Sequence, residues 1–124
     1  MKRLEDESNV SLTTFRRDGT PVSTPVWIVE WEGRLYVNTA AGSFKVKRIR
    51  SNPSIRIAPC TSRGKVTGDD HTGKARIVND AKVTGQVGRL LRAKYGLYIA
   101  LVPLLARFSR RFRERVILEI SLDS

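Results

Sequence analysis

Six stretches of the chain are typical of β-strands, and in several of them apolar and polar residues alternate, as in a strand with one buried face. Residues 22–31 are rich in Val, Ile, Thr and Trp and predict a strand buried on both sides, whereas residues 115–122 predict a strand with one face on the core. Turn signals at Arg17-Asp18-Gly19 and Glu32-Gly33 connect the first three strands as hairpins. The predicted strands are residues 10–15, 22–31, 34–39, 54–60, 74–78 and 115–122.

The apolar spacing becomes helical in other parts of the chain. Ser43 is a suitable N-cap for a short helix that ends at Asn52-Pro53, because the residue before a proline disfavours the α conformation. A second helix is predicted over residues 80–94, with Asp80 as its cap. The glycines and polar residues of 61–73 predict a loop or a bent hairpin.

Strands joined by early hairpins, one short internal helix and a helical insertion at about residues 80–113 are typical of a small antiparallel barrel. The sequence contains no repeat and no linker, so residues 1–124 are predicted to form one domain. A chain of this size has a modest core, and a homodimer would bury further apolar surface. The sequence therefore predicts a mainly β protein, a six-stranded barrel with a few helices, that forms a homodimer.

The charge balance narrows the range of ligands. The chain has 23 Lys and Arg against 12 Asp and Glu, a formal net charge of +11. Such a surface attracts nucleic acid, anionic lipid or a small molecule with phosphate or carboxylate groups. Charge alone does not choose among these ligands.

The sequence contains few features that indicate a cellular location. Residues 1–10 are polar and acidic and lack the apolar region of a secretory signal. Cys60 is the single cysteine, so no internal disulfide is expected, as in a reducing compartment. The apolar residues 95–106 are shorter than the roughly 20 residues that a spanning helix needs. We therefore expect a cytoplasmic protein without a transmembrane segment.

Several kinds of catalytic site are excluded by the residues present. One histidine, His71, and one cysteine cannot form a zinc site of the usual Cys/His type, so no metal site is predicted. We expect His71 to be solvated and Cys60 to be a buried, inert thiol. There is no glycine-rich dinucleotide fingerprint and no P-loop. An enzyme with this sequence would need a cofactor to supply the chemistry, and no catalytic side chain is assigned.

The sequence TAAGSFKVKRIRSNP at residues 39–53 predicts an anion-binding corner. Small residues follow a strand that ends at Thr39, and a helix begins after Ser43, where unpaired N–H groups suit a phosphate. Lys45 falls in the first helical turn, where a cation is unfavourable unless an anion lies close by. Lys47, Arg48 and Arg50 extend this basic ridge. The alternative is a solvated basic helix face.

Two longer segments resemble a known family. LTTFRRDGTPVSTPVW at residues 12–27 and KVKRIRSNPSIRIAPC at residues 45–60 are similar, in order and spacing, to the split-barrel flavin-binding proteins related to pyridoxamine phosphate oxidase, and within them to the branch that uses coenzyme F420. The resemblance covers most of residues 12–78 and resumes at the closing strand. It implies a split β-barrel of the FMN-binding type and a dimer with the cofactor at or near its interface.

The resemblance also implies roles for individual residues. Ser43 and Lys45 would contact the cofactor phosphate, and the remaining basic residues of the ridge would meet the rest of its tail, which carries a phosphodiester and glutamate carboxylates. The ring system would lie along the second strand and beside the end of the third. The implied cofactor-binding residues are Thr24, Pro25, Val26, Trp27, Thr39, Ala40, Ser43, Lys45, Lys47, Arg48 and Arg50.

The function implied is an F420-dependent oxidoreductase that transfers a hydride between the reduced deazaflavin and a small organic substrate. An FMN-binding oxidoreductase and a non-catalytic F420 carrier are alternatives, and nucleic-acid binding driven by charge is expected to be nonspecific. The proton donor would be solvent or a tyrosine, such as Tyr95 or Tyr98.

A last basic segment has no role in these expectations. An apolar stripe over residues 97–112, with a kink or a break at Pro103, is bordered by arginines between Arg107 and Arg115. A basic amphipathic helix of this kind is compatible with weak association at an anionic membrane surface. The alternative is a helix packed on the barrel with solvated arginines.

Overall fold

The structure is a computed structural model and describes residues 4–40, 42–96 and 115–123. Six strands and two α-helices are present in this part of the chain, after a short 3₁₀ turn at Leu4–Asp6. The strands are β1 (Val10–Phe15), β2 (Pro21–Trp31), β3 (Arg34–Ala40), β4 (Ser54–Pro59), β5 (His71–Val78) and β6 (Arg115–Leu122). The helices are α1 (Phe44–Ser51) and α2 (Ala81–Tyr95).

The strands form a closed antiparallel barrel in the order β1-β2-β3-β6-β5-β4, which confirms the predicted mainly β fold. Alternation along each strand places one set of aliphatic side chains inside the barrel. This inner core is almost fully excluded from solvent, and Ile49 of α1 joins it across one end of the barrel. The main inner residues are Val10, Leu12, Val26, Ile28, Leu35, Val37, Ile55, Ile57, Leu118 and Ile120.

Helix α2 covers part of the barrel's outer face. Asp80 caps the helix as predicted, accepting hydrogen bonds from the backbone N–H groups of Lys82 and Val83. Val87 and Leu91 pack on the outward side chains of β2, β3, β5 and β6 in a second apolar cluster. The barrel wall is therefore buried on both sides beneath α2.

Three expectations about burial and strand length were wrong. Strand β2 is buried on both sides only in its second half; Pro21, Ser23 and Pro25 are exposed, because α2 covers the other end of the strand. Strand β6 is buried on its outward face at Ile117 and Glu119 as well as on its inward face at Leu118 and Ile120. Strand β5 begins three residues earlier than predicted, at His71.

The early start of β5 depends on close backbone packing. A Cβ atom at Gly73 would clash with the backbone oxygen of Ser121 on β6, so this position needs glycine.

The predicted helical stripe over residues 97–112, with Pro103 and Tyr98, lies outside the described residues. Neither described α-helix has the length and apolar character that a bilayer crossing requires.

Candidate functional site

Strands β2 and β3 separate at one end of the barrel. Their pairing extends to Trp27 opposite Asn38; beyond that, within the described residues, β2 pairs with β1 and β3 pairs with β6. Helix α1 follows β3 at this end and plugs the barrel with Val46 and Ile49, which are buried. A split therefore opens between two strands beside the first turn of a helix.

The inner face at this end carries hydroxyl groups, although the rest of the interior is aliphatic. Thr14 of β1, Thr24 of β2 and Thr39 of β3 each continue the inward-facing alternation of their strands. We call these three residues the hydroxyl end. Thr14 and Thr39 are buried, and Thr24 is half-buried.

Two hydroxyl oxygens near the split are buried without a hydrogen-bond partner in the described structure. They are Oγ1 of Thr24 and Oγ of Ser43. A buried hydroxyl left unpaired costs about 1–3 kcal/mol, so such groups are rare unless a ligand or an ordered water completes them. These two orphaned atoms are the observation that fits a bound polar group at the split.

The first turn of α1 has unused capacity for an anion. Ser43 occupies the N-cap position with extended backbone, but its side chain makes no capping hydrogen bond. The turn contains no acidic residue, and Lys45 lies in it, half-buried. The positive end of the helix dipole and a lysine thus occur together, an arrangement that a phosphate would stabilise.

The other basic residues of α1 divide into two groups. Lys47 and Arg50 are exposed, and the Lys47 ammonium lies 5.6 Å from the ring centre of Phe44. Arg48 is half-buried and donates from Nε to Thr14 Oγ1 at 2.6 Å, which ties α1 to the hydroxyl end. Burial and then the charge of Arg16 lower the pKa of the Arg48 guanidinium. Within the described residues no carboxylate pairs with Lys47, Arg48 or Arg50.

Alternation along β2 divides the predicted ring-contacting residues between two faces. Thr24 faces the barrel interior and Val26 is part of the inner core, while Pro25 and Trp27 point outward. Thr39 is buried at the end of β3, and Ala40 is its last residue, paired with Arg115. The structure thus brings Thr24, Thr39 and Ser43 to the same end of the barrel, with Trp27 on the other side of the wall.

Trp27 packs beneath α2. Its ring stacks on Tyr95 with centroids 4.5 Å apart and an interplanar angle of 11°. The Tyr95 hydroxyl donates to the backbone oxygen of Ser8 and accepts from the Ile28 N–H, and burial raises the pKa of this phenol. These contacts give Tyr95 a structural role that joins α2 to β2.

The single cysteine and the single histidine are not assigned to the candidate site. Cys60 is buried after β4, where burial and the charge of Glu7 raise the pKa of its thiol. His71 is exposed at the start of β5. In the described ranges no three side chains of the His, Cys, Asp and Glu types come together as metal ligands do.

One polar cluster was missed from the sequence. Glu119 is 5% exposed and accepts hydrogen bonds from Arg34, Arg76 and Tyr36 on the outer face of the barrel. Sequence patterns hardly indicate this cluster, because Glu119 occupies an ordinary polar position in an alternating strand. Thr14 was also missed, although consecutive hydroxyl residues in β1 are a weak signal of a polar interior.

A closed six-stranded antiparallel barrel, split beside a basic helix, defines the class of split β-barrel proteins. The pyridoxamine 5′-phosphate oxidase family matches residues 1–124, and the chain belongs to this family. Among curated proteins no match is found.

Solved structures with the same fold have low sequence identity to this chain. A conserved hypothetical protein from Mycobacterium tuberculosis is 21% identical, with a TM-score of 0.72 over 98% of this chain and 76% of its own. A protein named F420 reductase is 20% identical, with a TM-score of 0.65 over 98% and 90%. General Stress Protein 26 from Bacillus anthracis is 21% identical, with a TM-score of 0.62 over 94% and 81%. At these identities the likeness extends to the fold alone.

Proposed function

We propose that this chain binds the deazaflavin coenzyme F420 at the split between β2 and β3 and acts as an oxidoreductase on a small organic substrate. The orphaned hydroxyls of Thr24 and Ser43, beside Lys45 in the first turn of α1, carry this proposal. Membership of the pyridoxamine 5′-phosphate oxidase family and the shared fold of a protein named F420 reductase support it.

The proposed contacts follow from the chemistry of the donors. Ser43, Lys45 and the N–H groups that open α1 would hold a phosphate through charge-assisted hydrogen bonds. Carboxylates farther along the F420 tail would be bound by Lys47, Arg48 and Arg50. Their lack of carboxylate partners in the described structure fits a polyanionic ligand better than a neutral one.

The ring-binding residues are proposed in two roles. Thr24 and Thr39 would offer hydroxyls to polar atoms of the ring system, and Ala40 would line the pocket beside Thr39. Pro25, Val26 and Trp27 would position the strand; the Trp27–Tyr95 stack fixes β2 from the outer side. Within this set Thr24 is the residue with an unmet hydrogen-bond requirement.

Bound F420 would supply the hydride chemistry, so the protein needs no nucleophile. The tasks of the chain are to orient the coenzyme, to hold a substrate close to it and to exclude water. The buried end of the barrel, with α1 packed across it, supports the exclusion of water. With Tyr95 committed to backbone contacts, we assign the proton to solvent.

FMN is the second candidate cofactor, because it also combines a phosphate with a three-ring system and the family includes flavin-binding proteins. A carrier that binds F420 without turnover is the non-enzymatic alternative. No carboxylate pairs with Lys47, Arg48 or Arg50 in the described residues, which favours F420, whose tail has more negative groups than that of FMN. The homodimer and the cytoplasmic location stay predictions.

The test is a fluorescence titration of F420 and FMN against the wild type, Lys45→Ala and the control Lys82→Ala, which removes an exposed lysine from α2. We expect Lys45→Ala to cost about 1.5–3 kcal/mol of F420 binding, the range for a hydrogen bond to a charged group, and the control to cost little. Equal affinities of the two variants would remove the phosphate assignment. Tighter binding of FMN than of F420 would make FMN the assigned cofactor in place of F420.

A further inference from the structure

The outer face of β3, β6 and β5 holds two arginines around a single buried carboxylate. Arg34 Nη1 lies 3.1 Å from Glu119 Oε1, and Arg76 Nη2 lies 2.9 Å from Oε2. Arg76 Nε makes a further contact with Oε1 at 3.3 Å. The Tyr36 hydroxyl donates to Oε2 at 3.4 Å, so one carboxylate fixes three side chains from two neighbouring strands.

This arrangement contains more positive charge than the carboxylate needs. The two-point contact from Arg76 already balances the charge of Glu119. Arg34 then adds a second cation that makes only one contact with the carboxylate. The cluster therefore carries a net charge of +1, counting Arg34, Arg76 and Glu119.

Each arginine is held in place by its contact with the buried Glu119 carboxylate, while much of its side chain is open to solvent. Glu119 is 5% exposed, whereas the side chains of Arg34 and Arg76 are 61% and 63% exposed. Of the five N–H groups in each guanidinium, Arg34 commits one and Arg76 commits two to Glu119. The remaining donors are held close together, because both arginines contact the same carboxylate oxygen.

The neighbouring surface adds to the attraction for anions. Lys74 lies two residues before Arg76 on the same face of β5, opposite Ser121 of β6, and all three are exposed. This face lies on the outside of the barrel, while the hydroxyl end faces inward. The two regions are therefore separate sites.

We propose that Arg34 and Arg76, positioned by Glu119, form an oxyanion site that binds a terminal phosphate dianion. Two fixed guanidinium groups match the several oxygen atoms of a phosphate, and they lose less conformational freedom on binding than two unrestrained arginines would. The phosphate would belong to a small phosphorylated molecule or to the end of a nucleic acid strand. This inference does not depend on the proposed function.

Arginine side-chain NMR can test the site directly, because the Nε–H resonance of each arginine reports its own surroundings. Inorganic phosphate would be titrated into ¹⁵N-labelled protein at constant ionic strength. We expect saturable shifts of Arg34 and Arg76 with one common dissociation constant. Shifts that grow linearly without saturation would overturn the proposal.

Three variants distinguish a preformed phosphate site from nonspecific electrostatic attraction. Arg34→Gln should weaken phosphate binding about tenfold while Arg76 keeps Glu119 paired, and Arg34→Lys should restore little, since a lysine lacks the planar fork. Arg89→Gln removes one exposed cation from α2 and should change the affinity less than twofold. Equal weakening by Arg34→Gln and Arg89→Gln, or full rescue by lysine, would show that only net charge matters.

The source of the phosphate is distinguished by two further ligands. A mononucleotide and a 5′-phosphorylated ten-nucleotide DNA strand would be compared with the same strand lacking the phosphate. We expect both phosphorylated ligands to shift Arg34 and Arg76, and the tighter of the two identifies the source. Equal binding of the strand without its terminal phosphate would overturn the proposal in favour of a nonspecific polyanion surface.

Discussion

The two cationic regions of this protein differ in what holds their arginines in place. On the outer face, Arg34 and Arg76 contact a buried carboxylate, Glu119. At the hydroxyl end, Arg48 donates to a neutral hydroxyl, and its neighbouring charge is the like charge of Arg16. The arginines of the outer face thus share a carboxylate partner, whereas Arg48 has none within the described structure.

The pKa shifts express the same difference. Burial alone would raise the pKa of Glu119, but the hydrogen bonds and charges of Arg76 and Arg34 outweigh it and lower this pKa overall. For Arg48, burial and then the charge of Arg16 lower the pKa. The pairing with Arg34 and Arg76 stabilises the fold around Glu119, whereas cations without a carboxylate partner are stabilised when an anion arrives. We therefore assign a structural role to the contacts with Glu119, and a ligand-binding role both to the second region and to the guanidinium N–H groups that Arg34 and Arg76 leave exposed.

Removing an arginine from each region gives the largest expected difference. Arg76→Ala leaves Glu119 buried with a single arginine contact and should lower the free energy of unfolding by about 2–3 kcal/mol. Arg50→Ala, on the exposed side of α1, should change it by less than about 0.5 kcal/mol. Urea denaturation of both variants measures these values. Similar losses for the two would mean that Glu119 does not depend on its partners.

Two threonines on adjacent strands sharpen the comparison within the hydroxyl end. Thr14→Val removes the acceptor of the Arg48 hydrogen bond and should destabilise the protein by about 1–2 kcal/mol. Thr24→Val removes an orphaned hydroxyl and should stabilise the ligand-free protein by about 0.5 kcal/mol, while it weakens F420 binding. Thermal unfolding and a coenzyme titration give the two readouts. If Thr24→Val is as destabilising as Thr14→Val, the Thr24 hydroxyl has a protein partner and no longer supports a ligand site.

Local patterns were sufficient to predict much of the fold. The turn at Glu32-Gly33 fixes the β2–β3 hairpin because both residues adopt positive φ, and the Asp80 cap fixes the start of α2. Ser43 was predicted correctly as an N-cap position, although its side chain does not make the expected bond. These features depend on neighbours in sequence, so the sequence alone determines them.

Features that depend on distant residues could not be predicted in this way. Glu119 is buried because Arg34 lies 85 residues earlier in the chain and pairs with it, and Trp27 is stacked because α2 returns Tyr95 to β2. Alternation also separates neighbouring residues of β2, so Thr24 and Trp27 were predicted for one site but point to opposite faces. Only the three-dimensional arrangement shows that the interior changes from aliphatic to hydroxyl-bearing toward the split.

The response to acid is expected to differ between the two regions as well. The pKa of Glu119 is lower in the folded protein than its usual value of 4.5, so its contribution to stability is present above pH 4.5 and is lost as the pH falls through the folded pKa. Glu119→Gln should remove that part of the pH dependence, a slope of at most about 1.4 kcal/mol per pH unit for one linked proton.

Urea unfolding between pH 6 and pH 3 measures this slope. Glu32→Gln, at an exposed turn residue, is a control that keeps the wild-type slope. Arg48→Gln should also leave the slope unchanged, because no carboxylate pairs with Arg48 in the described structure. A wild-type slope in Glu119→Gln would show that the two arginines do not stabilise the ionised carboxylate, and the contrast between the regions would no longer hold.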